Sequence, residues 1–242
     1  MNRCAGELRV WVLLSMVGHA IGCYCQKHHS SYSDTVGLAH DLSIIERKLG
    51  PMEKRVRDNL VPVEVTYYSF VDDACTMVDK KNLCSGILLV HACVVEDVKV
   101  IFEGLRRDTF PIAKVIPINR YGFNSDSTGW NDTGSMASNN TSAFNYRRKP
   151  TSGAPSKHAQ GTAIDINPLL NPFVRKSSRG TMVKPSNGRY DPKQPGTLKR
   201  GNFLKLLGQR GWTWGGRWPN PVDYQHIEKI GGLCKVPLVR VR

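Results

Sequence analysis

Two short segments of this chain carry side chains suited to hydrolytic chemistry. Ser156-Lys-His158-Ala-Gln-Gly161-Thr-Ala-Ile-Asp165 supplies an imidazole and a carboxylate, and Asp223-Tyr-Gln-His226 supplies another of each. A hydrolytic zinc takes three protein ligands of the His or Asp/Glu type and keeps a further position for water, whose pKa it lowers from about 15.7 to about 7. A spare carboxylate must then carry protons. Two imidazoles, one carboxylate ligand and one spare carboxylate make up such a set.

The elements that must position these groups follow from spacing. His158 and Asp165 are seven residues apart with Gly161 between them, which suits a turn feeding a strand better than one helical face, where ligands recur at i and i+4. Thr162-Ala-Ile-Asp-Ile166 has the small and β-branched residues of a short buried strand. His226-Ile-Glu228 reads as another short extended run. About sixty residues separate the two segments, so the fold must assemble the site. Taken singly, a histidine is more often a hydrogen-bonded surface or core residue than a ligand, and His19, His28, His29, His40 and His91 are read that way. Asp223 alone, beside Pro219 and Pro221, would be a turn or capping residue.

The combination goes further. S-K-H-A-Q-G-T-A-I-D-I-N, followed by G-W-T-W-G-G-R-W and D-Y-Q-H-I-E, closely resembles the zinc D-alanyl-D-alanine carboxypeptidase and L-alanyl-D-glutamate endopeptidase family (VanY-like peptidoglycan metallopeptidases). That family's pattern is S-x-H-x-x-G-x-A-x-D, W-G-G-x-W and D-x-x-H-F-E. The resemblance covers roughly Val61 to Glu228. It implies His158, Asp165 and His226 as zinc ligands, Asp223 as general base and then acid, and an arginine from Asn139-Asn-Thr-Ser-Ala-Phe-Asn-Tyr-Arg147 as stabiliser of the oxyanion. Two departures stand out. Ile227 replaces the usual Phe, and the connection after the arginine strand is short, so that Arg147 and its neighbour Arg148 are both open for the arginine role. The implied substrate is the stem peptide of peptidoglycan, cut between L-Ala and D-Glu or at the terminal D-Ala-D-Ala. The implied fold is α+β, a small central antiparallel sheet flanked by helices around a hedgehog-type zinc peptidase core. Rival readings are a non-catalytic wall-binding module and a zinc-containing signalling protein on the same fold. The first should have lost a ligand or Asp223, and all four are present.

Composition agrees with a single such domain over residues 61–242. With 242 residues and 40% hydrophobic content the chain can bury a sizeable core. A net charge of +14 and a pI near 9.6 point to a polyanionic surface. Nucleic-acid-binding signatures are lacking, which leaves an anionic cell-wall polymer as the expected surface; no obligate protein partner is inferred. Arg3 and Arg9 precede or border Val10-Trp-Val-Leu-Leu-Ser-Met-Val-Gly-His-Ala-Ile21, an apolar run of twelve interrupted by His19. That is the length of an export signal and short for a membrane span. Ala20-Ile-Gly-Cys23 resembles a lipoprotein cleavage box, so residues 1–23 are expected to direct the protein to the periplasm or cell envelope, through a signal that is cleaved, lipidated at Cys23 or kept as an anchor. Seven cysteines are too few for a disulfide scaffold; Cys75, Cys84, Cys93 and Cys234 could form two bridges or remain buried thiols.

Residues 24–60 read as a polar tether, Cys25 to Asp41, and a helix over Leu42–Leu49 stopped by Gly50-Pro51. Strands are expected at Val61–Tyr68, Ile87–Val90 and Ile112–Ile116. Helices are expected over Val94–Arg107, with Val98, Ile101, Phe102 and Leu105 on one face, and over Thr197–Gln209. Asn124–Ser142 and Asn167–Gly196 read as long loops forming the walls of a substrate groove. Trp212 is expected in the core, while Trp214 and Trp218, around Gly215-Gly216, are candidates for lining that groove. Ser156 is either a turn residue or a hydrogen-bond donor to substrate.

Overall fold

The expected alternation at Val61–Tyr68 extends to β1 (Leu60–Phe70), which pairs antiparallel with β2 (Val78–His91) from Leu60↔His91 to Phe70↔Val78. The structure, a computed structural model, describes residues 35–72, 75–147 and 153–231. The expected export signal with Cys23, residues 25–34 of the expected tether, Arg148 and Cys234 lie outside them.

The β1–β2 hairpin separates two cores. On one face Val63, Val65, Tyr67, Leu88 and Val90 meet α3 (Val95–Arg107), whose Val98, Ile101, Phe102 and Leu105 form the expected buried stripe. On the other face Leu89 packs with Leu42 and Ile45 of α1 (Thr35–Leu49), with Val56 of the short α2 (Lys54–Arg57), and with Phe144 and Tyr146. Helix α1 begins seven residues before the expected Leu42, inside the stretch read as tether. It ends where expected: Gly50 adopts φ 86° and its N–H bonds Glu46 O at 2.9 Å.

The expected single central sheet is replaced, among the described residues, by four small ones. Short β3 (Lys114–Val115) lies parallel to β4 (Asn140–Thr141), with α4 (Asp132–Ala137) just before β4. Strands β5 (Ala163–Asp165), β10 (His226–Lys229) and β8 (Trp212–Trp214) form an antiparallel sheet in the order β5-β10-β8. A hairpin, β6 (Phe173–Ser177) and β7 (Gly180–Lys184), carries β9 (Val222–Asp223) on its β6 edge. The two long loops of the sequence reading are therefore part structured: the first holds α4 and β4, the second the β6–β7 hairpin. Strands of two to five residues, cut by frequent turns, cannot close into one broad sheet. Helix α5 (Asn202–Gln209) starts five residues later than expected, after Gly201 at φ 143°.

Helix α3 is tied to the β5-β10-β8 sheet by one buried charge. Asp97, 8% exposed, accepts from Arg210 Nε (2.9 Å), Trp212 Nε1 (3.1 Å) and Lys229 Nζ (2.7 Å). Burial opposes its ionised form, yet the bonds from Lys229 and Trp212 outweigh that and hold its carboxyl below the ordinary value. A depressed acid stabilises the fold above its unfolded pKa of about 3.9, and that contribution is lost as pH falls through the folded value. Charge-assisted hydrogen bonds contribute about 1.5–3 kcal/mol, so Asp97→Asn should lower stability by about 1–3 kcal/mol at pH 7, allowing for the half-exposed cations. Urea titrations should show the difference narrowing below about pH 4; a difference independent of pH would refute this role.

Cys84 and Cys93 are each disulfide-bonded. Cys75 is a buried thiol whose Sγ lies 3.7 Å from Asn139 Nδ2. His91, 2% exposed, caps the turn after β2 by accepting from Cys93 N–H at 3.3 Å, a packing role as expected.

Candidate metal centre

The sequence between His158 and Asp165 forms a tight return. Ser156 Oγ accepts from Ala159 N–H at 3.0 Å, which fixes the 3₁₀ turn His158–Gln160. Gly161 then takes a left-handed φ of 67°, and its carbonyl accepts from His91 N–H at 2.9 Å. A Cβ at Gly161 would sit 2.7 Å from that nitrogen, so only glycine lets the turn lie against β2. The chain continues into β5, where Asp165 pairs directly with His226 of β10. Register thus puts a ligand from each motif side by side.

Three buried donor atoms converge. His158 Nε2 lies 3.1 Å from Asp165 Oδ1 and 3.0 Å from His226 Nδ1, and the last two are 3.1 Å apart. Each imidazole is held through its other nitrogen: His158 Nδ1 donates to Ala143 O (2.6 Å), His226 Nε2 to Glu228 Oε2 (3.0 Å). With those protons placed, Nε2 of His158 and Nδ1 of His226 both present lone pairs to a carboxylate oxygen. Three lone pairs at such distances repel one another unless a cation lies among them. Metal bonds of about 2.0–2.2 Å in a tetrahedral arrangement need donors only slightly farther apart. The residues therefore fit a metal ion, and His158, Asp165 and His226 are the group that could hold one.

The electrostatics agree. Burial alone would raise Asp165, but the neighbouring His158 and His226 hold it far below the usual carboxylate range. Burial disfavours a protonated His226, yet bonds to Asp165 and Glu228 raise it to about 10. Two acids around one ring therefore attract a positive charge, whether proton or metal.

Asp223 stands beside this group in β9, opposite Phe173 of β6. Its Oδ1 is buried and has no hydrogen-bond partner. Burial, and then the Asp165 charge, raise its pKa to about 6, against the pull of His226 and His158; a bound cation would lower it again. The Gly215-Gly216 pair makes room for neighbours and not, as expected, for a ligand. A Cβ at Gly215 would lie 2.6 Å from Asp223 O, and one at Gly216 2.2 Å from the Trp214 ring.

Other expected site residues separate. Trp214 is 3% exposed and its Nε1 donates to Tyr224 O at 2.7 Å, so it belongs to the core and does not line a groove. Trp218 is half-buried, its ring 5.5 Å from that of His226 and at the rim of the centre. Ser156, 5% exposed, takes the first of its two expected roles, accepting from Ala159 N–H within the turn. Arg147 pairs loosely with Asp132 at 3.9 Å, and its Nε is buried without a hydrogen bond. Sequence reasoning gave Glu228 no role, although it stands in the quoted D-Y-Q-H-I-E string two residues after His226. Period two in β10 should have shown both on one face. The carbonyl of Ala143 leaves no side-chain signal.

Residues 150–229 match the family model of D-alanyl-D-alanine carboxypeptidase. This bears out the family suspected from the motifs. The matched segment, about a third of the chain, contains the three convergent ligands and Asp223, while Arg147 lies just upstream. No match was found among curated proteins or solved structures. The likeness is to a peptidase family, and the mixed α+β architecture with small, mostly antiparallel sheets is compatible with it.

Proposed function

We propose that the protein is a zinc metallopeptidase that hydrolyses a peptide bond in peptidoglycan stem peptides, either L-Ala-D-Glu or terminal D-Ala-D-Ala, on a hedgehog-type core. The observation that carries this is the meeting of three buried lone pairs beside the partnerless Asp223 oxygen, inside the segment similar to carboxypeptidases. Two nitrogens and one oxygen suit zinc, whereas calcium takes six to eight oxygens or so.

His158, Asp165 and His226 would hold the ion, with Ala143 O and Glu228 fixing the ring orientations. Zinc in such a site supplies Lewis-acid polarisation of the attacking water and the scissile carbonyl. Asp223 Oδ1 takes a proton from that water and returns it to the leaving amine. The Arg147 guanidinium stabilises charge developing on the carbonyl oxygen, and Trp218 covers the rim. The basic composition and the export signal would bring the enzyme to an anionic envelope; among the described residues no helix is long and apolar enough to cross a membrane.

Digestion of isolated sacculi, read by mass spectrometry, tests the reading. Free D-alanine with shortened stems means D-Ala-D-Ala cleavage, whereas stems freed from their L-alanine mean L-Ala-D-Glu cleavage. An unchanged muropeptide profile from zinc-loaded protein would overturn the proposal.

A further inference from the structure

Hairpin β6–β7 is an arm held by its backbone more than by a core. Val174 and Val183 pair half-buried near its root, Met182 is 45% exposed, and the turn Ser177-Ser178-Arg179-Gly180 is polar and exposed. Past the end of the β6–β9 pairing, Asn220 Oδ1 accepts from Lys176 N–H at 3.0 Å and Asn220 Nδ2 donates to Lys176 O at 2.9 Å. The arm grows from the strand pair that carries Asp223, which lies opposite Phe173.

Its charge has one sign. Residues 173–217 hold eleven Lys or Arg against a single acid, Asp191. On the arm Arg175, Lys176, Arg179 and Lys184 are all exposed, and none forms an ion pair with an acid of the described residues. Elsewhere the exposed cations Arg55, Arg57 and Lys99 do pair with carboxylates. Charges on an edge strand block unwanted strand pairing, and that accounts for Lys184 on β7. It does not account for Arg175 and Lys176, because β6 is the middle strand of β7-β6-β9 and Asn220 closes its remaining edge at Lys176.

Register fixes where these cations stand. Cross-strand partners share a face and successive residues alternate between faces. Arg175 and Lys184 therefore share the face of Phe173, Lys176 is on the opposite face beside Thr181, and Arg179 is at the tip. No single flat surface meets all four. A bilayer would seat an apolar face, and Met182 is the arm's only strongly exposed apolar side chain. A rigid duplex takes a ribbon into its groove, which leaves the outward face unmatched. A single nucleic-acid strand is held by aromatic stacking, and residues 174–189 contain no aromatic side chain. A flexible chain of anions can wrap both faces and the tip. Arginine forks suit phosphate oxygens, and the hydroxyls of the exposed Ser178 and Thr181 can donate to the same atoms.

We propose that the β6–β7 arm docks a flexible linear phosphodiester polymer, a polyol phosphate chain of the cell envelope. The envelope as its source rests on the peptidase reading; the charge pattern of the arm does not. A chain held here lies next to the strand of Asp223, so docking keeps the hydrolytic centre at the surface where its substrate lies.

Fluorescence anisotropy of labelled poly(glycerol phosphate), titrated with the zinc-loaded full chain across a salt series, tests this. R175Q/K176Q/R179Q should bind at least about tenfold more weakly at about 0.1 M salt, with a salt slope shallower by about two, at about 0.7 for each cation contact to a single-stranded polyanion. K54Q/K80Q/R107Q removes the same charge from exposed positions on α2, β2 and α3 and should bind as the wild-type protein does. Both variants should keep metal content, melting temperature and turnover of a short soluble stem peptide, since every substituted side chain is exposed. Equal loss in the two variants would reduce the effect to net charge and overturn the docking site. Duplex DNA, polyglutamate or phosphatidylglycerol vesicles bound as tightly as the polyol phosphate would overturn the phosphodiester assignment. Polymer binding by a protein that leaves sacculi intact would keep the arm and remove the peptidase; cleaved sacculi without polymer binding would do the reverse.

Discussion

Alanine at His226 is expected to reduce bound zinc well below one equivalent and to abolish peptide hydrolysis. The imidazole supplies one of three donors held 3.0–3.1 Å apart, and its loss leaves only His158 and Asp165, too few to retain the ion against buffer. The fold should survive: β10 keeps its backbone pairing to β5 and β8, and Glu228, half-exposed, can be solvated when its partner goes. Glu228→Gln should behave differently. It leaves all three donors in place but weakens the acceptor that orients the ring, and such changes lower metal affinity about 10–100-fold. Metal content after gel filtration, followed by titration with a competing chelator, separates the two: an empty site for the first, a full but weaker site for the second. A full equivalent of zinc in His226→Ala would remove His226 from the ligand set.

The contrast between those variants shows what the sequence made legible. Metal-ligating side chains are of few chemical types, so His158, Asp165 and His226 could be named as candidates from two strings, and the turn at Gly161 and strand at Asp165 followed from small and β-branched residues. What orients them could not. The acceptor for His158 is a backbone carbonyl at Ala143, and every residue has one. Apolar periodicity likewise revealed α3 and the core of β1, where burial is one-sided. It failed for β6 and β7, whose residues are largely exposed and whose pairing is carried by backbone hydrogen bonds. That hairpin matters because Phe173 pairs with Asp223, turning a residue that looked like a turn after two prolines into a strand residue aimed at the centre. Trp214 misled in the other direction: its place beside two glycines suggested a groove, but those glycines accommodate the indole and Asp223.

Asp223→Asn should keep the metal and the fold yet lose most turnover. The substitution is nearly isosteric, which matters because Asp223 is confined on one side by Gly215, where even a Cβ would lie 2.9 Å from its own, and on the other by β6. Its Oδ1 is buried without a partner, so no structural hydrogen bond of that atom is lost, and relief from burial of a charge and from Asp165 outweighs the weakened attraction of His226 and His158 and the weakened Gln225 hydrogen bond. Stability should therefore stay level or rise slightly. Catalysis should not, because an amide cannot take a proton from the attacking water and pass it to the leaving amine. General acid–base catalysis contributes about 10²–10⁴-fold, and that loss should fall on kcat with KM little changed, since the residue acts on the reacting atoms and not on substrate affinity. Steady-state kinetics on a soluble stem peptide, with metal content measured on the same samples, gives the answer. Turnover within about threefold of wild type, set against that usual contribution, would refute proton transfer by Asp223, and loss of metal from the variant would make Asp223 a ligand instead.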